Sequence, residues 1–259
     1  MSDPQSPGSP PRLSVVVPAF NEEKVLPASL ERIHAYLSGR GAPFEILAID
    51  DGSGDETSRL ARAFAERRPE CRPLRNETNR GKGYTVRRGI EEARGAFVLF
   101  SDADLSTPIE EAEKLLAALE AGCDLAIGSR DLPGSDVRVR QPWYRETMGR
   151  VYNRIVRLLS LSGFSDTQCG FKAFRRSALL PLLPLLRIDR YSFDVEILFV
   201  ARKHGLAVRE IPVVWINRED TRVDPLRDAS RMLVDLLRIR YYDWAGRYRK
   251  RGERFYPDA

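Results

Sequence analysis

The chain is 259 residues long and carries 42 Lys and Arg against 37 Asp and Glu, a formal charge of +5. That length allows one large domain or two small ones with a real apolar core, and the mild basicity suits an anionic partner (nucleotide phosphates, an acidic membrane surface or nucleic acid) without choosing among them. Three cysteines far apart (Cys71, Cys123, Cys169), with no C-x-x-C spacing, argue against a disulfide frame or a zinc site and for free thiols in a reducing compartment.

Residues 1–11, rich in Ser, Pro and Gly, lack the apolar core of a signal peptide and read as a disordered tail. Leu13 to Val17 is a β-branched run, stopped by Pro18, that predicts the first strand. Asn21-Glu22-Glu23 then opens a helix to about Ser38, with acids in its first turn where the helix dipole favours them. Glu45 to Ile49 is the second strand and ends in Asp50-Asp51-Gly52-Ser53; Glu56 to Arg67 carries apolar residues at helical spacing. A weaker strand near Pro73 to Arg75 leads to Asn79-Arg80-Gly81-Lys82-Gly83 and a helix ending near Gly95. Phe97 to Ser101 reads as a buried strand ending in two carboxylates one residue apart, Asp102 and Asp104. Thr107 and Pro108 suit the N-cap and first residue of a helix to about Gly122, and Leu125 to Arg130 is a further strand. This alternation predicts an α/β fold, a mostly parallel sheet covered by helices on both faces.

The second half reads differently. Arg138 to Gln141 is a predicted loop, followed by a long helix over Trp143–Leu161 and a short strand at Phe171 to Phe174. Ser192 to Lys203 is a helix closed by Gly205, Val208 to Ile216 a late strand, and Leu226 to Tyr242 a final amphipathic helix with a basic tail behind it. The two histidines, His34 and His204, fall on predicted surface helices and read as solvated, which leaves little for a histidine-based mechanism. No segment has the length and apolarity of a membrane span, so any bilayer contact is expected from outside. Residues 12–224 are expected to form one domain, with 225–259 packed on it or extending it.

The chemistry gathers at strand ends. In an open α/β sheet ligands bind beyond the carboxyl ends of the strands, and Pro18 to Glu22, Asp50-Asp51 and Asp102 to Asp104 all fall there. One such end suits a solvated turn; three in the first hundred residues make a site the better reading. Glu22, Asp50 and Asp51 can accept from the N–H edge of uracil or guanine or from ribose hydroxyls. Asp102 and Asp104 suit a hard divalent cation, such as Mg²⁺ held by one or two carboxylates plus substrate phosphates. Lys82 and Arg130 follow other strand-like segments and meet the remaining phosphate charge, with a plain surface lysine, or an Arg130 pair to Asp131 or Asp102, as the alternatives.

Val17-Pro18-Ala19-Phe20-Asn21-Glu22-Glu23, Ile49-Asp50-Asp51-Gly52-Ser53, Asn79-Arg80-Gly81-Lys82-Gly83 and Ser101-Asp102-Ala103-Asp104 stand in an order that resembles the inverting family 2 glycosyltransferases with a GT-A (Rossmann-like) fold. Asp166-Thr167-Gln168-Cys169-Gly170-Phe171-Lys172 and Ser192-Phe193-Asp194-Val195-Glu196 sharpen the resemblance to the polyprenyl-phosphate branch, closest to dolichyl-phosphate β-glucosyltransferases, over about residues 12–240. The resemblance implies a nucleotide-sugar site of Pro18, Ala19, Asn21, Glu22, Asp50, Asp51, Lys82, Asp102, Ala103 and Arg222, the last in a basic loop from Arg218 that closes over the diphosphate. It implies Mg²⁺ or Mn²⁺ on Asp104, with Asp102 assisting directly or through water, and Arg130 facing the phosphates. Asp166 matches the position that orients or deprotonates the acceptor phosphate; an N-cap or a salt bridge to Lys172 is its alternative. Asp194 and Glu196 order the acceptor side, or cap a helix dipole. The implied activity is transfer of glucose from UDP-glucose to a polyprenyl or dolichyl phosphate, with inversion to a β-linked product. GDP-mannose and UDP-N-acetylhexosamines are the alternative donors.

Many members of that branch carry transmembrane helices, and the sequence predicts none here. Its apolar helix faces with flanking Arg are therefore expected to dock at the inner, cytoplasmic face of the membrane, or a membrane-bound partner subunit to hold it there; the alternatives are that those faces pack into the core, or that the acceptor is soluble. No nucleic-acid partner is expected. Three competing classes remain: a haloacid dehalogenase-type phosphatase, which wants Thr or Val where Ser106 stands and its nucleophile near the N-terminus; a sugar nucleotidyltransferase, whose Gly-rich basic first loop is missing; and a non-catalytic nucleotide-binding module.

Overall fold

A computed structural model describes residues 10–139, 152, 154–156, 163–217 and 225–249, excepting the side chains of 225–229. Most of the helix expected over Trp143–Leu161, the tail at 1–9, and the Arg218–Arg222 loop with Arg222 lie outside the described residues. The chain order is β1 (Leu13–Ala19), α1 (Leu26–Ser38), β2 (Phe44–Asp50), α2 (Thr57–Arg67), β3 (Cys71–Arg75), α3 (Lys82–Glu92), β4 (Phe97–Ser101), α4 (Ala112–Glu120) and β5 (Leu125–Ser129). Then come β6 (Asp136–Val139), β7 (Phe171–Arg175), α5 (Arg176–Leu179), α6 (Phe193–Lys203), β8 (Val208–Pro212), β9 (Val214–Ile216) and α7 (Pro225–Trp244).

Seven strands form one sheet in the order β3-β2-β1-β4-β7-β5-β8, and β6 pairs with β9 in a small second sheet. All pairings in the large sheet are parallel except those of β7, which runs antiparallel to β4 and β5. The mostly parallel sheet expected from the alternation of elements is present. The reversed β7 matters for function: Phe171 lies opposite Ser101, so the residues leading into β7 arrive at the edge where β1, β2 and β4 end.

Both faces of the sheet are buried, which is why its strands read as near-continuous apolar runs. Successive residues point to opposite faces. Val15 and Val17 pack with Leu30, Ile33 and Phe64 of α1 and α2, while Val16 packs with Val86 and Ile90 of α3. Leu236 and Ile239 of α7, with Tyr248 beyond it, join the second of these clusters. Each such side chain contributes roughly 1.5–3 kcal/mol when fully buried.

Several expected boundaries move, for local reasons. Pro18 does not stop β1; it sits beyond Val16, where the pairing with β4 ends and β2 is the remaining neighbour, so its missing N–H is tolerated. α1 starts at Leu26, with no acid in its first turn, because Asn21, Glu22 and Glu23 are tied to the β2–α2 loop and the start of α2 instead. Pro108 precedes a single 3₁₀ turn (Ile109–Glu111), and α4 proper begins only at Ala112. The late strand breaks at Val213 into β8 and β9, which belong to different sheets, and the expected loop at 138 carries the end of β6. The two histidines have partners: His34 lies 3.4 Å from Glu70 and edge-on to Phe44 and Phe64, and His204 Nε2 lies 2.9 Å from the Tyr248 carbonyl. The three cysteines are buried free thiols.

Candidate active site

At the carboxyl edge of the sheet opens a cleft of about 350 Å³. Its walls come from the end of β1 and the residues after it (Pro18, Ala19, Phe20, Glu22), from the turn after β4 (Asp102, Ala103, Asp104), from the start of α3 (Gly81, Lys82, Thr85) and from Arg190 and Tyr191 before α6. Asp51 and Asn79 complete it.

The loops that form this wall are held by bonds between side chains and backbone. Asn21, at φ 54°, donates its N–H to Ser53 Oγ (2.8 Å) and accepts from the Gly54 N–H (2.9 Å). The Glu22 N–H donates to Thr57 Oγ1 at 2.7 Å. The adjacent acids at the end of β2 separate in function. Asp51 accepts from the Arg80 and Gly81 N–H groups (2.9 and 2.8 Å) and from Asn76 Nδ2 (2.7 Å), so it is the resident anion at the N-terminus of α3. Gly81 is required there: its φ is +102°, and a Cβ would lie 2.4 Å from the Asp189 carbonyl oxygen. Asp50 accepts from the Ser53 N–H through Oδ1, while its buried Oδ2 accepts no hydrogen bond from the described residues and stands 3.4 Å from Arg75 Nε.

The acid pair is fixed from behind and from the side. A left-handed Leu105 (φ 50°) turns the chain so that Asp104 accepts from the N–H and the hydroxyl of Ser106, both at 2.9 Å. Asp102 lies 2.6 Å from Lys82 Nζ, and its N–H donates to the Gly170 carbonyl at 3.1 Å. Burial works most strongly against the Lys82 ammonium, but Asp102, Asp194 and Asp104 together outweigh it and raise Lys82 above its ordinary value. Asp194 in turn sits 2.7 Å from the buried Lys172, and burial raises its carboxyl against the pull of Lys172 and Lys82. Charges of alternating sign thus run inward from the cleft: Asp102, Lys82, Asp194, Lys172.

Two carboxylates are too few to enclose a cation, and no group of three or more His, Cys, Asp or Glu side chains is placed to hold one among the described residues. Their hard oxygens fit Mg²⁺ or Mn²⁺ only as part of a shell completed by substrate oxygens and water. Gly170 gives this arrangement a direct test. A Cβ there would lie 2.0 Å from Asp102 Oδ2, so Gly170→Ala is expected to push Asp102 off its position and cut turnover at least about tenfold. Its stability cost should stay at the about 1–3 kcal/mol of local overpacking; wild-type turnover in the folded variant would remove Asp102 from the site.

Residues 14–182 match Glycosyl transferase family 2. The chain belongs to that family. Among relatives, this glycosyltransferase is 36% identical over 242 residues to a dolichyl-phosphate beta-glucosyltransferase of Dictyostelium discoideum, covering 88% of this chain and 74% of that one. It is 34% identical to the Homo sapiens protein of the same name, covering 92% and 78%. A glucosyl-3-phosphoglycerate synthase of Mycobacterium tuberculosis, solved with phosphoglyceric acid, superposes with a TM-score of 0.70 at 20% identity, over 88% of this chain and 80% of that one. The same synthase, solved with Mn²⁺, UDP and phosphoglyceric acid, gives 0.69 at 21% identity, over 88% and 77%. That likeness establishes the GT-A architecture.

In this glycosyltransferase Arg130 and Asp166 stand apart from the cleft-lining set. Asp166 Oδ2 accepts from Arg130 Nε (2.6 Å) and the Arg130 N–H (3.1 Å); Oδ1 accepts from Arg130 Nη2 (2.9 Å) and the Gln168 N–H (3.0 Å). Four donors fill the carboxylate. Burial would raise Asp166, but Arg130 overcomes it and holds the carboxyl below its usual range. The close ion pair of Arg130 is thus with Asp166, where Asp131 or Asp102 was the expected alternative, and Lys172 pairs with Asp194 in place of Asp166. Glu196 is buried and accepts from backbone N–H groups of the preceding loop. Arg190 and Tyr191 line the cleft but escape sequence reasoning, since neither belongs to a periodic element or a strand end. The packing of residues 188–190 on Gly81 and Gly83 helps to bring them there.

Proposed function

We propose that this glycosyltransferase transfers glucose from UDP-glucose to a dolichyl or other polyprenyl phosphate, inverting the anomeric carbon to give a β-linked lipid-phosphate sugar. One observation carries the reading: Asp102, Asp104 and Lys82 share a single cleft with Glu22 and the end of β1. The names of the relatives support the lipid acceptor and the glucose.

Glu22 and Asp50 accept from the base and ribose. Asp104, with Asp102, would hold Mg²⁺ or Mn²⁺, which would supply a Lewis acid for the departing diphosphate. Lys82 and Arg130 meet the remaining phosphate charge, and Asp166 keeps the Arg130 guanidinium oriented. With all four of its acceptor positions filled, Asp166 fits orientation better than proton removal. A phosphate oxygen, ionised at neutral pH, attacks without a base, so holding the two reactants in line supplies much of the rate.

Among the described residues no helix is long and apolar enough to cross a membrane. α7 supports contact from the side. Leu236 and Ile239 face the core, while Leu233, Leu237, Tyr241 and Trp244 form an exposed stripe, Trp244 at 80%, rimmed by Arg231, Arg238 and Arg240. Apolar side chains with interfacial aromatics and flanking Arg suit an anionic lipid surface. The test is a donor panel (UDP-glucose, GDP-mannose, UDP-N-acetylhexosamines) with polyprenyl phosphate in anionic vesicles, scored by product mass. A glucosylated lipid phosphate, formed only with metal and by protein that floats with the vesicles, is expected. Free phosphate from small esters, or no lipid product with any donor, rejects the reading.

A further inference from the structure

Tyr248, in the segment after α7, is fully buried and belongs to none of the motifs above. Its ring packs against Phe199 and Tyr242, and its carbonyl lies 2.9 Å from His204 Nε2. Its hydroxyl donates to Glu196 Oε1 at 2.7 Å. The same carboxylate accepts from the Arg187 N–H (2.8 Å, Oε1) and the Ile188 N–H (2.8 Å, Oε2). Glu196 is therefore engaged by three donors, two of them backbone groups at the root of the loop that carries Arg190 and Tyr191 into the cleft.

That loop also touches the start of α3. The Tyr84 N–H donates to the Asp189 carbonyl at 3.1 Å. A Cβ on Gly83 would lie 2.7 Å from the Ile188 carbonyl, so the two backbones are in close contact beside Lys82. Arg87 of α3 adds bonds to Asp189 Oδ1 (2.7 Å) and the Leu186 carbonyl (3.4 Å). The α3 side of the loop thus has several supports, while its root rests on Glu196.

We propose that Tyr248 and Glu196 are positioning residues: the Tyr248 hydroxyl holds the Glu196 carboxylate, which fixes the 187–191 loop and through it the Arg190 and Tyr191 wall of the cleft. Burial favours the neutral form of the Glu196 carboxyl and the Tyr248 hydroxyl opposes it, so without that donor the group shifts towards the neutral form, which accepts more weakly from the two amides. The segment following α7 is by this route coupled to the donor site. The proposal rests on the cleft being a nucleotide-sugar site only for its kinetic arm.

Tyr248→Phe keeps the ring and removes one donor, leaving both amide bonds to Glu196 in place. Hydrogen exchange at the Arg187 and Ile188 amides should speed up about tenfold, and the KM for UDP-glucose should rise several-fold with kcat little changed. Unchanged exchange at those amides overturns the proposal, as does a fall in kcat and kcat/KM together that only tracks the folded fraction. Should Tyr248→Phe fail to fold, Glu196→Gln, which turns an NH₂ towards an N–H donor, is read by exchange at the same two amides alone and should speed it further. If the wild-type protein does not bind UDP at all, the functional reading fails while the exchange measurement still decides the coupling.

Discussion

Asp104→Asn is expected to abolish transfer, by at least a factor on the order of 10²–10³ in kcat, while the protein melts as the wild type does. Among the described residues Asp104 has two bonds, both from Ser106, one from its N–H and one from its hydroxyl. An Asn carbonyl keeps the first, and the Ser106 hydroxyl can rotate to accept from the new NH₂, so the turn through Leu105 survives. What is lost is a formal negative charge and a hard oxygen at the lip of the cleft. Asp102→Asn is the instructive contrast, because it also frees Lys82 from a 2.6 Å ion pair and so should alter donor affinity as well as turnover. Both variants are checked by product formation beside thermal unfolding. Near-normal turnover in folded Asp104→Asn rejects the metal assignment.

The parts of this molecule that are legible in its sequence share a physical cause. β1, β2 and β4 are buried on both faces, so each reads as an apolar run, and the acids that end them mark where the chain leaves the core. What is not legible depends on partners remote in sequence. α1 starts late because Asn21 and Glu22 bond to Ser53, Gly54 and Thr57, and no local preference announces those bonds. A five-residue strand such as β7 carries no mark of its direction, yet its reversal is what brings Gly170 against Asp102. Glu196 reads in the sequence as a helix-start acid of the acceptor side; its partners are the amides of Arg187 and Ile188 and the hydroxyl of Tyr248. Charge pairing is equally hidden, since Lys172 could pair with an acid at 166 or at 194 and only the fold decides for Asp194.

Asp166→Asn is expected to destabilise the protein by about 3–5 kcal/mol, because removing one member of a buried pair leaves the other charge uncompensated. Arg130 retains some solvent access, 26% of its side chain, which places the expected value at the lower end. The pH dependence has a definite sign. Arg130 depresses the Asp166 carboxyl in the folded state, so its contribution is present above the ordinary carboxylate value and is lost as pH falls through the lower folded value. The stability gap between wild type and Asp166→Asn should therefore narrow on acidification below about pH 4. Turnover should fall more than donor affinity, since Asp166 supports the guanidinium that we assign to the leaving diphosphate. Adding Arg130→Gln removes the stranded charge and should recover part of the lost stability, while transfer stays low because the guanidinium is gone. Recovery of transfer in the double variant would separate Arg130 from the phosphates, and a pure loss of donor binding in Asp166→Asn would assign the pair to the donor site alone.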